Sequence, residues 1–314
     1  LLRAAVGMVE GRPYLVLDDA HRPRVDFLDL TAEPAASHEE LVEKASAQLA
    51  ADPFDLAAGG LLRFVHVLTG PEQGVVLLSM HHLISDQWSL TIILSDLLEL
   101  VRSELDDDPA SLPELEISFC DYAHWEAQEE QRAAVEADVA HLAGMLEGAP
   151  TELSLPMARL RPTEPDSRGA AVEIEFSSER TERLEVLGRD RGATPFMVLA
   201  AAVAGVLSRF GGGDDIVLGV PIAHRRSVEL EPLVGLFVNT LPLRIDLSGE
   251  PSFEELVERS RSVALKVFEH QEASIERLVE VVNPPRDLAR HPIFQVGLSM
   301  QDLPFGAWNR GGLH

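Results

Sequence analysis

Cysteine is almost absent from this chain, since Cys120 is the only one among 314 residues. A single thiol excludes an intramolecular disulfide framework and a zinc site built from several cysteines. Both exclusions are consistent with a reducing compartment, so we expect a cytoplasmic protein.

Basic residues are also scarce, and long hydrophobic runs are missing. Lys and Arg number 26 against 52 Asp and Glu, which gives a formal net charge of −26 with no polybasic run to offset it. This balance disfavours nucleic acid and anionic membranes as partners. The longest apolar runs are interrupted by charge or glycine, and no signal peptide or span of membrane length is evident. The sequence therefore predicts a soluble protein.

The length suits two lobes of ordinary size, each able to bury its own core. Proline and glycine at positions 150, 156, 162, 165 and 169 punctuate a stretch with little periodicity, which is typical of a linker. We therefore predict an N-terminal lobe over residues 1–149, a linker over 150–169 and a C-terminal lobe over 170–314.

Helix and strand patterns alternate in both halves, which favours an α/β fold. Two capping boxes, Ser37 with Glu40 and Ser252 with Glu255, predict helix starts. Helices are predicted over 38–51, about 119–147, from Thr194–Pro195 through Phe210, and from 252 to about 270; strands are predicted over 61–68, 75–78, 172–176 and 216–220.

Two adjacent histidines, His81 and His82, follow the apolar run 75–78, which reads as a buried strand, and precede a helical pattern that begins at Trp88. Neighbouring side chains on an extended backbone point to opposite faces, so one ring should face packing and the other a cavity. An unperturbed imidazole in a cavity is largely neutral at pH 7 and suits a general base. The alternative is a pair of hydrogen-bonded structural histidines. A metal site is disfavoured because the two rings diverge and no His-Glu-x-x-His spacing is present.

Residues 81–87, His-His-Leu-Ile-Ser-Asp-Gln, resemble the His-His-x-x-x-Asp-Gly signature of the condensation domains of nonribosomal peptide synthetases. Four further stretches resemble that family in the expected order. They are 119–125, 234–244, 270–271 followed by 275–279, and 286–295.

The resemblance implies a chloramphenicol-acetyltransferase-like fold, with two similar α/β lobes in a V-shaped pseudo-dimer and a tunnel between them. It also implies that His82, the second histidine of the motif, is catalytic and that His81 is mainly structural. A donor and an acceptor peptidyl carrier protein would deliver substrates on phosphopantetheine arms, with a neighbouring adenylation domain in the same synthetase. No cofactor would be bound by the domain itself. Leu1-Leu2-Arg3 resembles the end of an early family motif, and the chain is expected to be incomplete at both ends.

Asp86 and Arg244 match the aspartate and arginine that form a bracing ion pair in the family. Leu241, Leu243 and Ile245 alternate with polar positions, so Arg244 projects away from the apolar face of its strand. The alternatives are that Arg244 meets water and that Asp86 caps the helix before Trp88, a role compatible with an ion pair.

Four further residues are candidates for lining the tunnel or contacting substrate: Gln87, Ser89, His224 and Asn239. Gln87 stands in the place of the motif glycine, and His224 stands where the family usually has another glycine. A side chain at a position where backbone or ligand approaches closely can narrow a passage. We therefore hypothesise that Gln87→Gly widens acceptor tolerance. For Asn239 the alternative is a cap of the adjacent turn.

The reaction implied by the resemblance is amide formation between a donor aminoacyl or peptidyl thioester and an acceptor amine. A related ester- or amide-forming acyltransferase is an alternative of the same fold. A catalytically inactive condensation-like domain that recruits a tailoring enzyme is an alternative of a different class. Because such domains carry a motif in which the second histidine is gone, His82 favours catalysis.

Overall fold

A computed structural model of the protein describes residues 1–18, 22–157, 162, 169–285 and 287–301. The chain forms two compact units. The first unit comprises residues 1–123 with 225–237, and the second comprises 124–224 with 238–314. The chain therefore leaves the second unit after His224 and returns to it at Val238.

The first unit holds two small sheets. Strands β1 (Ala4–Val9) and β2 (Arg12–Leu17) form an antiparallel hairpin. Strands β3 (Arg24–Asp29), β4 (Leu62–Gly70) and β5 (Gln73–Met80) form a sheet in the order β3-β4-β5. The pair β3 and β4 is parallel, and helix α1 (His38–Ala51) lies between these strands in the chain; β4 and β5 are antiparallel. Helix α2 (Gln87–Asp106) follows β5, and α3 (Phe119–Glu126) begins near the end of the unit's first segment.

Two predictions for this unit need correction in detail. Helix α1 has the predicted bounds, but its capping box is absent because the Ser37 hydroxyl donates to the carbonyl of Pro34 instead. The strand predicted as buried is β5, whose Val75 and Val76 are exposed. In the described residues β5 lies at the edge of its sheet, so a run of apolar residues does not by itself imply two covered faces.

The second unit packs helices against a three-stranded sheet. Its strands are β6 (Asp215–Ile222), β7 (Asn239–Asp246) and β8 (Val296–Gly297) in the order β7-β6-β8, antiparallel between β6 and β7 and parallel between β6 and β8. Its helices are α4 (Glu129–Met145), α5 (Ser178–Asp190), α6 (Pro195–Leu207), α7 (Phe253–Glu269) and α8 (Ile275–Val282). The alternation predicted for β7 is confirmed, because Leu241, Leu243 and Ile245 are fully buried.

The helix starts at Thr194 and Ser252 are confirmed, and both residues accept hydrogen bonds from backbone N–H groups of the first turn. The long helix predicted over 119–147 is instead two helices, α3 and α4, separated at residues 127–128. The strand predicted over 172–176 is wrong: these residues are not in a sheet, and Val172, Ile174 and Phe176 are exposed. A segment of alternating polarity forms a strand only if a neighbouring strand provides hydrogen-bond partners, and no described strand does so for residues 172–176.

The predicted lobe boundary differs from the division seen in the structure. Helix α4 was assigned to the N-terminal lobe, but its Val139 and Leu142 belong to the core of the second unit together with residues of α6, α7, β6 and β7. Within the predicted linker, positions 158–161 and 163–168 lie outside the described residues, as does Arg286 in the last matched motif.

One described segment, Pro195–Gly212, is long and apolar enough to cross a membrane by length and composition alone. Five of its side chains, Met197, Val198, Ala200, Ala201 and Ala204, are buried in the core of the second unit. The core helices of globular proteins pass the same test.

The ring of Phe294 lies directly against the backbone of Gly219 in β6. A Cβ built on Gly219 would overlap the ring of Phe294. Glycine therefore lets the Phe294 ring lie on the central strand of this sheet.

We expect Gly219→Ala to lower the free energy of unfolding by about 1 to 3 kcal/mol, because the added methyl group displaces the Phe294 ring from a packed core. Gly144→Ala, in the last turn of α4 where an added Cβ has open space, is the matched control and should be neutral or stabilising by up to about 1 kcal/mol. Urea denaturation of both variants measures the difference, and equal stabilities would contradict the prediction.

Candidate active site

The histidine pair lies where it was predicted, between the end of β5 at Met80 and the start of α2 at Gln87. His81 is held by its neighbours. Its backbone N–H donates to Leu61 O at 2.9 Å, its Nδ1 accepts from the Leu83 N–H at 3.0 Å, and its ring meets Phe54 edge to face. His81 is therefore a packed, hydrogen-bonded residue.

His82 has the opposite environment. It is exposed and begins a short 3₁₀ turn, His82–Ile84. Its Nδ1 lies 2.7 Å from the carbonyl oxygen of Ser85. Because a carbonyl oxygen only accepts, Nδ1 must carry the proton, and in the neutral ring Nε2 keeps its lone pair. The local backbone thus leaves an exposed imidazole with a basic nitrogen that is ready to accept a proton.

Asp86 fixes the residues that follow this turn. It is the N-cap of α2, and its Oδ1 accepts from the Ser89 N–H at 2.8 Å. Its other oxygen, Oδ2, accepts from the Phe237 N–H at 3.0 Å. The side chain is only 3% exposed and forms an ion pair with Arg225, whose Nη2 lies 3.2 Å from Oδ1. Asp86 is therefore both cap and ion-pair partner, as the two compatible predictions allowed, but its partner is not the predicted one.

Arg225 is the counterion of Asp86, and its side chain is 1% exposed. Its Nη1 donates to the carbonyl oxygens of Leu230 and Leu233 at 2.5 and 2.7 Å, and its guanidinium lies 4.0 Å from the centre of the Phe237 ring. Burial lowers the pKa of Arg225 from its ordinary value, while the Asp86 carboxylate acts to raise it. The guanidinium therefore ties the returning segment, residues 225–237, to the cap of α2.

The prediction that Arg244 pairs with Asp86 is wrong. Arg244 donates to the Asp215 carboxylate, from Nε to Oδ1 at 2.9 Å and from Nη2 to Oδ2 at 2.7 Å. Its Nη1 donates to the carbonyl oxygens of Met145 and Glu147. In the register of β6 and β7, Asp215 lies opposite Asp246, which places Asp215 diagonal to Arg244. Diagonal neighbours on one face of an antiparallel pair are within reach of long side chains. Arg244 is thus a cross-strand residue of the second unit.

Sequence reasoning missed Arg225 although it directly follows His224, which had been singled out. The position of Arg225 in the sequence could have indicated its role. It lies just after β6, at the start of the segment 225–237 that belongs to the first unit. A guanidinium there can satisfy several loop carbonyls at once.

The surroundings of Ser89 favour a structural role over its predicted contact with substrate. It is fully buried, and its Oγ lies 2.7 Å from Asp86 Oδ1, 2.8 Å from Gly235 O and 3.0 Å from Gly235 N. Gln87, in contrast, is exposed as the first residue of α2, next to the histidine turn in the chain. Trp88 follows it and donates from Nε1 to Glu231 O at 2.9 Å.

The two candidates of the second unit occupy structural positions. The Asn239 amide donates from Nδ2 to Gln271 O at 3.1 Å and to Ala273 O at 2.8 Å, while its Oδ1 accepts from the Thr240 N–H. These contacts favour the capping alternative, although the capped loop is distant in sequence. His224 has a positive φ of 51°, as expected for a position where glycine is favoured.

No group of three or more His, Cys, Asp or Glu side chains in the described residues has the arrangement of a metal site. The His82 imidazole is a group that can act as a general base.

The mixed α/β architecture is a chloramphenicol-acetyltransferase-like fold, as in the condensation domains among its structural neighbours, and an exposed histidine follows the end of β5. The Condensation domain family matches residues 1–306. The chain belongs to the condensation-domain family of nonribosomal peptide synthetases.

Two relatives illustrate the similarity. The chain is 35% identical over 302 residues to one of the linear gramicidin synthase proteins of Brevibacillus parabrevis, covering 96% of this chain and 4% of that protein. It is 38% identical over 310 residues to phosphinothricin tripeptide synthetase PhsB of Streptomyces viridochromogenes, covering 97% of this chain and 26% of that protein. The chain thus spans a small part of the length of the synthetases it matches.

Among solved structures, the X-domain from teicoplanin biosynthesis superposes with a TM-score of 0.82 at 26% identity, covering 94% of this chain and 65% of that one. The same X-domain has been solved in complex with OxyB.

We expect Arg225→Met to lower the free energy of unfolding by about 3 to 5 kcal/mol, because it leaves the Asp86 carboxylate buried without a counterion. Arg24→Met is the matched control: Arg24 and Asp26 form an ion pair at the surface, with side chains 57% and 41% exposed, so the loss of this pair should change stability far less. Denaturant titration compares the two variants. Adding Asp86→Asn to Arg225→Met should recover part of the loss, and a further loss would contradict this account of Arg225.

Proposed function

We propose that this domain forms an amide bond between a donor aminoacyl or peptidyl thioester and the amine of an acceptor aminoacyl group, each carried on the phosphopantetheine arm of a carrier protein. The observation that carries the proposal is the exposed His82 ring, whose Nδ1 is bound to Ser85 O and whose Nε2 is basic. Membership of the condensation-domain family supports it.

The protein does not have to activate the donor carbonyl, because the thioester already does so. Holding two reactants in the right geometry lowers the barrier by up to roughly 7 to 11 kcal/mol. A base that accepts the proton of the attacking amine contributes typically about 10²- to 10⁴-fold. His82 Nε2 either takes this proton or accepts a hydrogen bond that aligns the amine. As the new C–N bond forms, the C–S bond of the donor thioester breaks and the donor arm leaves as a thiol.

No cofactor takes part in the proposed reaction, since the phosphopantetheine arms belong to the carrier proteins. The partners are therefore a donor carrier, an acceptor carrier and the adenylation domain that loads amino acids. The similarity to multidomain synthetases supports these partners. The net charge of −26 opposes docking of acidic carriers, so local basic groups must guide them.

Recruitment of a tailoring enzyme is the second candidate function. The similarity to the teicoplanin X-domain, which forms a complex with OxyB, favours it. An exposed histidine with a fixed tautomer favours catalysis, because a docking surface does not need a basic nitrogen. An ester-forming relative would use the same histidine and would differ in the acceptor.

We expect His82→Ala to abolish amide formation while leaving the fold intact, because the exposed ring contributes little packing. The measurement is single-turnover peptide transfer between loaded carriers, made on the synthetase that contains this domain and read by mass of the product on the acceptor carrier. His66→Ala, an exposed histidine on β4, is the matched control and should transfer at the normal rate. Full transfer by His82→Ala would reject the catalytic proposal.

We expect Gln87→Gly to broaden the range of acceptor amines, because it removes an exposed side chain beside the histidine turn. Competition between small and bulky acceptor amines in single-turnover transfer measures the ratio of their rates. Gln87→Glu keeps the side-chain volume and should keep the preference. An unchanged ratio in Gln87→Gly would show that Gln87 does not restrict the acceptor.

A further inference from the structure

A cleft of about 640 Å³ opens on the second unit, where β6 begins, β7 ends and α7 passes beside them. It is lined by Asp215, Arg244, Asp246, Arg259, Ser262 and Val263. Two carboxylates and two guanidinium groups therefore share one small space. All six residues belong to the second unit, and none of them takes part in the proposed amide formation.

One of the two charge pairs in the cleft is closed. Arg244 donates from Nε and Nη2 to the two oxygens of Asp215, and its Nη1 donates to the carbonyl oxygens of Met145 and Glu147. All three guanidinium nitrogens are engaged within the protein. This pair forms part of the wall of the cleft but offers no free donor to a ligand.

The other charge pair, Arg259 with Asp246, is open. Nη1 of Arg259 lies 3.8 Å from Oδ2 of Asp246, which is beyond hydrogen-bond distance, and the two side chains are 37% and 67% exposed. Nη1 donates instead to the carbonyl oxygens of Asp246 and Ser248, both at 2.9 Å. Nε and Nη2 of Arg259 donate no hydrogen bond to any described residue. One edge of this guanidinium is therefore free.

The Asp246 carboxylate keeps its charge. Its Oδ1 accepts from the Ser248 N–H at 2.8 Å, and this contact holds the pKa of Asp246 below its ordinary value. In the register of β6 and β7, Asp246 lies directly opposite Asp215. Like charges in opposite positions of an antiparallel pair are unfavourable, so a further cation beside Asp246 would be stabilised.

The free groups of the cleft require a ligand that carries both charges close together. The Nε and Nη2 edge of a guanidinium binds a carboxylate through two parallel hydrogen bonds, and a carboxylate such as Asp246 binds an ammonium group. The four charged side chains sum to zero, which does not favour a simple anion or a simple cation. Val263 adds an apolar contact beside them.

We propose that this cleft binds a free α-amino acid with an aliphatic side chain. Its carboxylate binds Nε and Nη2 of Arg259, its ammonium group binds Asp246, and its side chain lies against Val263. An aminoacyl thioester has no free carboxylate, so the site takes the free amino acid and not a carrier-bound one. The proposal does not depend on amide formation.

The test titrates L-valine into the 314-residue chain and follows the Nε–H resonance of Arg259, which is assigned by its loss in Arg259→Met. N-acetyl-L-valine lacks the ammonium group, and L-valinamide lacks the carboxylate. We expect L-valine to shift the resonance in a saturable way and each analogue to bind at least about 10-fold more weakly, because each loses a hydrogen bond between charged groups.

Two variants test the two sides of the cleft. Asp246→Asn removes the charge that binds the ammonium group, and Ser262→Leu places a larger side chain in the cleft while all four charges stay. Leucine is a good helix former, so Ser262→Leu is compatible with α7. We expect each variant to weaken L-valine binding by roughly 10-fold or more. Arg277→Met is the matched control, since it removes an exposed arginine of the same unit that pairs with Glu136, and it should leave binding unchanged.

The proposal is overturned if L-valine produces no saturable shift, or if either analogue binds as tightly as L-valine. Equal binding of N-acetyl-L-valine would identify a site for anions, and equal binding of L-valinamide would identify a site for amines. If Asp246→Asn disturbs the loop after β7, Ser262→Leu decides, and normal binding by that variant places the ligand elsewhere. Because no carrier protein or peptide transfer enters the measurement, its outcome is independent of the catalytic role of His82.

Discussion

The structure around the histidine turn depends on one buried ion pair, Asp86 with Arg225. A carboxylate and a guanidinium that are both almost fully enclosed need further hydrogen bonds to offset the cost of their desolvation. The Asp86 carboxylate accepts from the Ser89 and Phe237 N–H groups, and Arg225 Nη1 donates to two loop carbonyls, whereas the buried Arg225 Nε has no hydrogen-bond partner among the described residues. The pair thereby fixes the start of α2 and the returning segment 225–237 at once. The His82 ring lies just before this cap in the chain, with its Nδ1 on the Ser85 carbonyl oxygen.

The two histidines have different environments. His81 uses its ring nitrogen and its ring edge inside the first unit, whereas His82 uses only Nδ1 and leaves Nε2 open. The alternation of an extended strand predicted this divergence. In the structure His81 is extended but His82 begins a 3₁₀ turn, so the change of backbone conformation between the two residues separates the rings.

Local signals predicted the fold well where they were sufficient by themselves. Thr194 and Ser252 mark helix starts because a cap is satisfied within four residues, and the burial of β7 follows from its alternation. Predictions failed where a distant partner decides. No strand in the described part of the chain pairs with Val172 to Phe176, and the partners of Asp86 and Arg244 depend on chain segments 139 and 29 residues away. No local pattern indicates which arginine reaches which carboxylate, so Arg225 was missed.

The return of residues 225–237 to the first unit also constrains how the protein is made. During synthesis Asp86 leaves the ribosome 139 residues before Arg225, which at about 5 to 20 residues per second is a delay of roughly 7 to 28 s. Throughout that interval the nascent first unit lacks both the counterion of its central carboxylate and the Phe237 N–H. The unit cannot reach its final packing until translation has passed through α4, α5, α6 and β6, so the nascent chain must tolerate an unfinished core for that time.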